Sequence, residues 1–226
     1  MKSNFIHVCF VIDESSSMWT STEDVLEGFK KIIKEQKANE NGECAISIFR
    51  FASVAHSADF IMKDVREVEE RLRYRPSGCT ALYDGVGVAI DEIGKVLADM
   101  PEDQRPEKNL IVIMTDGEEN SSMEYQPSRI REMIKHQEDK YNWTFLYIGT
   151  DITNTQDADR IGIGRRFATT RGKLSKSYDT VNSVMSCYRL AKGDVASKGA
   201  TMDMFLNAEI TANNLEYSKD TGINID

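Results

Sequence analysis

The chain has 226 residues, 40% of them hydrophobic and 29% charged, with a formal net charge of −9 from 28 basic and 37 acidic side chains. That size and composition suit one globular α/β domain with a sizeable core, and the acidic balance disfavours nucleic acid and anionic membrane as partners. No apolar run approaches the roughly twenty residues needed to cross a bilayer.

In chain order, Phe5 to Ile12 is an apolar run broken only by His7, the pattern of a central parallel strand buried on both faces. Val25, Leu26, Phe29, Ile32 and Ile33 then recur at helical spacing and predict a helix over Thr22 to Ala38, ended by Asn39-Glu40-Asn41-Gly42. Ala45 to Phe51 reads as a strand. Val54 to Ile61 reads as another, and the short link Ala52-Ser53 makes the pair an antiparallel hairpin at a sheet edge. A short helix is predicted near Val65 to Leu72. Leu82, Val86, Ala89, Ile90, Ile93 and Leu97 mark a long helix, in which Gly85, Gly87 and Gly94 suggest close packing on the sheet.

Leu110 to Met114 is the next buried strand, and Pro127 opens a helix with Ile130, Met133, Ile134 and Gln137 inward. Trp143 to Ile148 reads as a strand, followed by a helix near Thr155 to Ile161 and a short last strand around Arg166 to Thr169. Leu174, Tyr178, Val181, Met185 and Tyr188 form the stripe of a closing helix. Met202, Phe205 and Leu206 suggest one more, and Tyr217 to Asp226 reads as a polar tail. Alternating strands and helices predict a Rossmann-like, doubly wound, mostly parallel six-stranded sheet with one antiparallel edge strand and helices on both faces.

Three segments carry donor chemistry. Asp13-Glu14-Ser15-Ser16-Ser17 leaves the first strand, so one carboxylate and two hydroxyls at alternate positions can turn toward a hard cation. Ser77-Gly78-Cys79-Thr80-Ala81 supplies a hydroxyl in a loop entering a helix, and Thr115-Asp116-Gly117 a second carboxylate after a strand. Doubly wound sheets bind ligands beyond the carboxyl ends of their strands, where the strand order reverses. With the usual order, Asp13 and Asp116 flank that point.

Together and in this order the segments resemble the metal-ion-dependent adhesion site (MIDAS) of von Willebrand factor A domains. Asp13, Ser15 and Ser17 match that family's DxSxS, Thr80 its single threonine and Asp116 its distal aspartate. The resemblance covers about residues 4 to 195, giving a domain over 1–195 and a C-terminal helical extension and polar tail over 196–226. It implies a non-catalytic protein-binding module in which Mg2+ or Mn2+, held by those five residues, captures an aspartate or glutamate of a partner. Cys79 stands where many relatives have glycine.

Met1-Lys2-Ser3-Asn4 shows no secretory cleavage pattern, and Cys9, Cys44, Cys79 and Cys187 show no metal or disulfide spacing, so a cytoplasmic location with reduced thiols is expected. The resemblance is then closest to intracellular bacterial and phage-type members, which act as assembly or stress-response adaptors. The alternatives are a structural subunit of a particle and a metal-dependent hydrolase or phosphotransferase. Haloacid-dehalogenase-like enzymes also place an aspartate after the first strand, but they need a second where this chain has Ser15.

Glu14, Glu118 and Glu119 crowd the site, as an acid–base pair or as a rim that attracts cation; the rim is preferred. Asp151 reaches the same face, either shaping partner choice or capping its loop. Arg160, Arg165, Arg166, Arg171, Lys173 and Lys176 read as a solvated rim without stacking aromatics. His7, His56 and His136 are too scattered to be ligands, and Gly162-Ile163-Gly164 lacks the rest of a nucleotide fingerprint.

Overall fold

The computed structural model describes residues 1–150, 156–170 and 174–222, without the side chains of Phe167, Val195, Tyr217, Asp220 and Thr221. Its centre is β1 (Lys2–Asp13), buried from Ile6 to its last residue. Beside β1 lie β2 (Glu43–Phe51) and β4 (Pro106–Thr115), both parallel to it. β3 (Phe60–Asp64) adds to β2 antiparallel, and β5 (Thr144–Gly149) and β6 (Arg166–Ala168) extend the other side in parallel. The order β3-β2-β1-β4-β5-β6 reverses direction between β1 and β4.

Alternate residues of the strands serve two cores. Ile6, Val8, Phe10 and Ile12 meet α1 (Thr22–Ala38), α5 (Leu174–Leu190) and α6 (Val195–Thr221) on one face. Cys9 and Val11 meet α2 (Leu82–Asp99), α3 (Pro127–Tyr141) and α4 (Gln156–Ile161) on the other. Helix α6 adds Met202 and Leu206 to the first core, and its Lys198 makes a buried ion pair with Glu107 of β4 at 3.0 Å.

Four expectations change. The edge strand begins at Phe60 rather than Val54, because residues 52–59 form a wide connection. Only Phe51 and Ala55 bridge there, Arg50 pairs with Asp59, and Ser53 turns away to accept the Cys79 N–H at 2.9 Å. Val65 to Leu72 is not a helix. A 3-10 turn spans Val65–Glu67, and beyond Glu70 burial alternates, with Leu72 and Tyr74 inward and Arg71, Arg73 and Arg75 outward. The predicted polar tail is helical through Thr221, ending at left-handed Gly222 (φ 69°); residues 223–226, and Thr155 at the start of the helix predicted near Thr155 to Ile161, lie outside the described residues. Finally, close packing accounts for two of the three glycines in α2. An added Cβ would meet the Phe51 ring at 2.7 Å at Gly85 and the Tyr125 ring at 2.5 Å at Gly87, but nothing within 4 Å at Gly94.

Gly94→Ala is therefore expected to stabilise the protein by about 0.5–1 kcal/mol through helix propensity. Gly85→Ala should destabilise it by about 1–3 kcal/mol through overpacking. Urea denaturation of both variants reads this, and equal shifts would refute the packing account.

One polar group lies deep in the sheet. His7 is fully buried, with Nδ1 2.9 Å from Asn109 Oδ1 on β4 and Nε2 2.8 Å from Ser47 Oγ on β2. Asn109 Oδ1 can only accept, so Nδ1 carries the proton and donates to it, and the Ser47 hydroxyl, which also accepts the Met62 N–H at 2.8 Å, donates to Nε2. This neutral tautomer satisfies both nitrogens. Burial pulls its pKa from 6.5 to about 4, against a smaller upward pull from Asn109. The unfolded chain therefore binds the extra proton between those values, so the His7 contribution to stability falls as pH drops from 6.5 toward 4. NMR should find the His7 ring neutral at pH 5.5, and an imidazolium there would refute the assignment.

Candidate metal centre

β1 and β4 end side by side. Ile12 pairs with Met114, so Asp13 lies beside Thr115 and Asp116 follows at once. Both aspartates are buried, at 0% and 1% exposure, and the charge of Asp116 adds to the cost of ionising Asp13. Asp13 Oδ1 accepts the Ser15 N–H at 2.7 Å, and Oδ2 accepts the Thr115 hydroxyl at 2.5 Å. Those bonds favour the charged form, yet desolvation outweighs them, and with the smaller effect of Asp116 it lifts the Asp13 pKa from 3.8 to about 6.

The three segments named from the sequence form one body. Ser16 N–H donates to Gly78 O at 3.0 Å and Ser77 N–H to Glu14 O at 2.8 Å, lacing the first loop to the second. Asn120 and Ser121 N–H both donate to Thr80 O, at 3.0 and 3.2 Å, while Thr80 N–H donates to Asn120 Oδ1 at 2.9 Å. The second loop is thereby laced to the third. The third is anchored in turn by Asp84 of α2, whose carboxylate accepts the N–H groups of Met123, Glu124 and Tyr125.

Five oxygen-bearing side chains are brought to this end of the sheet. Ser15 Oγ lies 3.0 Å from Ser17 Oγ. A Cβ built on Gly117 would lie 3.1 Å from both Ser17 Oγ and Thr80 Oγ1 and 3.9 Å from Asp13 Oδ2, so those three oxygens surround one small space. The donors are all hard oxygens, two from carboxylates and three from hydroxyls, which suits magnesium or manganese better than a soft metal. Among the described residues no three His, Cys, Asp or Glu side chains form a metal cluster, so any ion here depends on the hydroxyls.

No protein-family model and no curated protein matches the chain. Solved structures do. Proximal thread matrix protein 1 from the mussel byssus, with a zinc-occupied MIDAS motif, matches at 20% identity and TM-score 0.58 over 80% of this chain and 46% of that one. The vWF domain of the type V pili tip protein Mfa5 from Porphyromonas gingivalis matches at 13% identity and TM-score 0.59, over 84% and 97%. A von Willebrand factor type A structure from Catenulispora acidiphila matches at 14% identity and TM-score 0.52, over 80% and 42%. The fold is that of von Willebrand factor A domains. The chain spans less than half of the byssus protein, and at these identities the likeness is one of fold alone.

Within that fold several supporting residues were not foreseen. Thr115 donates to Asp13; its place at the end of β4, in register with the first aspartate, was the available signal. The Tyr74 hydroxyl donates to Asp13 O at 2.5 Å, and Asn120 orients Thr80. The acidic rim is mostly consumed internally. Glu14 is buried, pairs with Arg50 at 2.8 Å and accepts the Arg75 N–H, while Glu119 accepts from Tyr83, Ser121 and Ser122. Only Glu118 of the three is exposed. Asp151 lies outside the described residues.

The charge on Asp13 is a net cost when no cation is present. Because its folded pKa exceeds 3.8, that cost appears as pH rises through about 6, the reverse of the His7 slope. In chelator at pH 7.5, Asp13→Asn should be more stable than the parent by roughly 1–3 kcal/mol. Calorimetric melting reads this, and a lower melting temperature for the variant would refute the electrostatic account.

Proposed function

We propose that this domain is a non-catalytic, metal-dependent protein-binding module. Asp13, Ser15, Ser17, Thr80 and Asp116 would hold Mg2+ or Mn2+, directly or through water, over a domain of residues 1–195 extended by 196–226. A cation held there offers a coordination position to an aspartate or glutamate of a partner. The observation that carries this reading is the convergence of Asp13, Ser17 and Thr80 around one space beside Gly117. Their order along the chain, matching the adhesion-site pattern on the same fold, supports it.

The hydrolase reading finds less support. Ser15 and Ser17 hydrogen-bond to each other, and among the described residues neither hydroxyl bonds to a base that would activate it. Position 15 offers a neutral hydroxyl where the related phosphotransferases need a second acid. We also propose a cytoplasmic setting and an adaptor or assembly role. The four cysteines are free thiols, and no helix among the described residues is long and apolar enough to cross a membrane.

Isothermal titration should find one dominant Mg2+ or Mn2+ site that Asp13→Ala abolishes, with Ca2+ weaker because the site lacks a bidentate loop. Chelation should lower the melting temperature by a few degrees and leave the far-ultraviolet dichroism intact, as expected for a ligand added to a sheet that folds on its own. Unchanged Mn2+ affinity in Asp13→Ala would overturn the assignment.

A further inference from the structure

Beside the metal loops runs the segment from Arg71 to Arg75, with Leu72 and Tyr74 buried and the three arginines exposed. A two-residue period is that of an extended chain, which sets alternate side chains about 7 Å apart and the outer two about 13 Å apart. The Tyr74 side chain and the backbone of Arg75 and Ser77 tie this strap to the site. Tyr74 holds the carbonyl of Asp13, Arg75 N–H donates to the Glu14 carboxylate, and Ser77 N–H donates to Glu14 O. A groove of about 1320 Å³ opens along it, lined by Arg71, Arg73 and Arg75 together with Val54, Ser77 and Gly78.

The charges in this groove are unevenly spent. Of its carboxylates, Glu14 pairs with Arg50 at 2.8 Å, Glu27 with Lys30 at 3.4 Å and Glu70 with Lys37 at 3.8 Å, leaving Glu69. The side chains of Arg71, Arg73 and Arg75 make no ion pair or hydrogen bond with any described residue. The other basic group behaves differently: Arg160 pairs with Asp157, Arg165 with Glu138 and Asp203, Arg166 with Asp159 and Lys176 with Glu216. In a chain of net charge −9, three uncommitted guanidiniums in a row beside a candidate cation site point outward to a ligand.

We propose that this strap extends the metal centre into a docking groove for an acidic peptide segment in extended conformation. One carboxylate of the segment meets the cation, and further carboxylates at alternate positions meet Arg75, Arg73 and Arg71. This rests on the metal-centre reading above. Guanidinium and carboxylate suit each other as bidentate partners. Nucleic acid is the poorer fit, because Tyr74, the one Phe, Tyr or Trp among the lining residues, is buried, which leaves only the His56 ring as a stacking face in a chain of net charge −9.

The test measures fluorescence anisotropy of two labelled peptides in Mn2+, one of alternating aspartate and serine and one with a single aspartate among serines. The parent should bind the alternating peptide about tenfold more tightly, an advantage that fades with salt. The triple variant Arg71→Gln, Arg73→Gln, Arg75→Gln should lose that advantage while keeping its Mn2+ affinity by calorimetry and its grip on the single-aspartate peptide. A variant that keeps the advantage, or a parent without one, overturns the proposal and leaves the metal centre standing. Binding that survives chelator, with oligouridylate competing equally, overturns it in favour of a general polyanion site. A parent that binds no Mn2+ overturns the metal reading and this proposal with it.

Discussion

Two carboxylates buried side by side, Asp13 and Asp116, set the terms for the whole upper end of this sheet. Their proximity follows from topology: β1 and β4 are parallel neighbours at the point where strand order reverses, so both chains leave the sheet at one place. Like charges out of water repel strongly, and a fold that keeps them must surround them with donors. Here Ser15 N–H and Thr115 O–H face Asp13, and Tyr74 holds its carbonyl. Arg50, a nearby cation, is engaged by Glu14 and Asp59. The arrangement carries an electrostatic penalty on Asp13, one that the proposed divalent ion would relieve.

That penalty is tolerable because the loops around it are not free to relax. Three segments far apart in sequence are joined by main-chain hydrogen bonds, first loop to second and second to third. Asp84 then fixes the third loop to α2, and Glu119 accepts from the α2 residue Tyr83. The hydroxyls of Ser17 and Thr80 thus reach their common space on a scaffold held from both sides. Positioning of this kind comes from the backbone and from acids that are not themselves candidate ligands.

The buried strands were legible because apolar runs such as Phe5 to Ile12, interrupted only by His7, have few other uses. The candidate site was legible because its donors are local motifs at strand ends. What was hidden depends on contacts between distant segments. Val65, Val68 and Leu72 mimic a helical stripe, but Leu72 and Tyr74 are drawn inward at period two by the first core and by the Asp13 carbonyl. The early part of the predicted edge strand is lost because Ser53 holds the Cys79 loop instead of a ladder. The length of α6 was hidden because its terminal turns are polar; Met202, Leu206 and the Lys198–Glu107 pair dock it onto the sheet. Nothing in the local pattern could reveal that Glu14 belongs to Arg50.

The hydrogen bonds that make Asp13 bearable in the interior also bear on what the site can bind. Each donor facing its oxygens draws on the charge that it could lend to a cation, while Ser15, Ser17 and Thr80 lend none. On the proposed reading the ion therefore keeps much of its positive character and favours an outside carboxylate over a neutral group, an attraction strengthened where water is partly excluded. An aspartate at position 15 would bring the carboxylate charge to three against an ion of charge two and repel an outside acid; the serine adds no charge and leaves room for a partner's carboxylate. The side chain that weakens the enzymatic reading is thus the one that makes capture of a carboxylate physically reasonable.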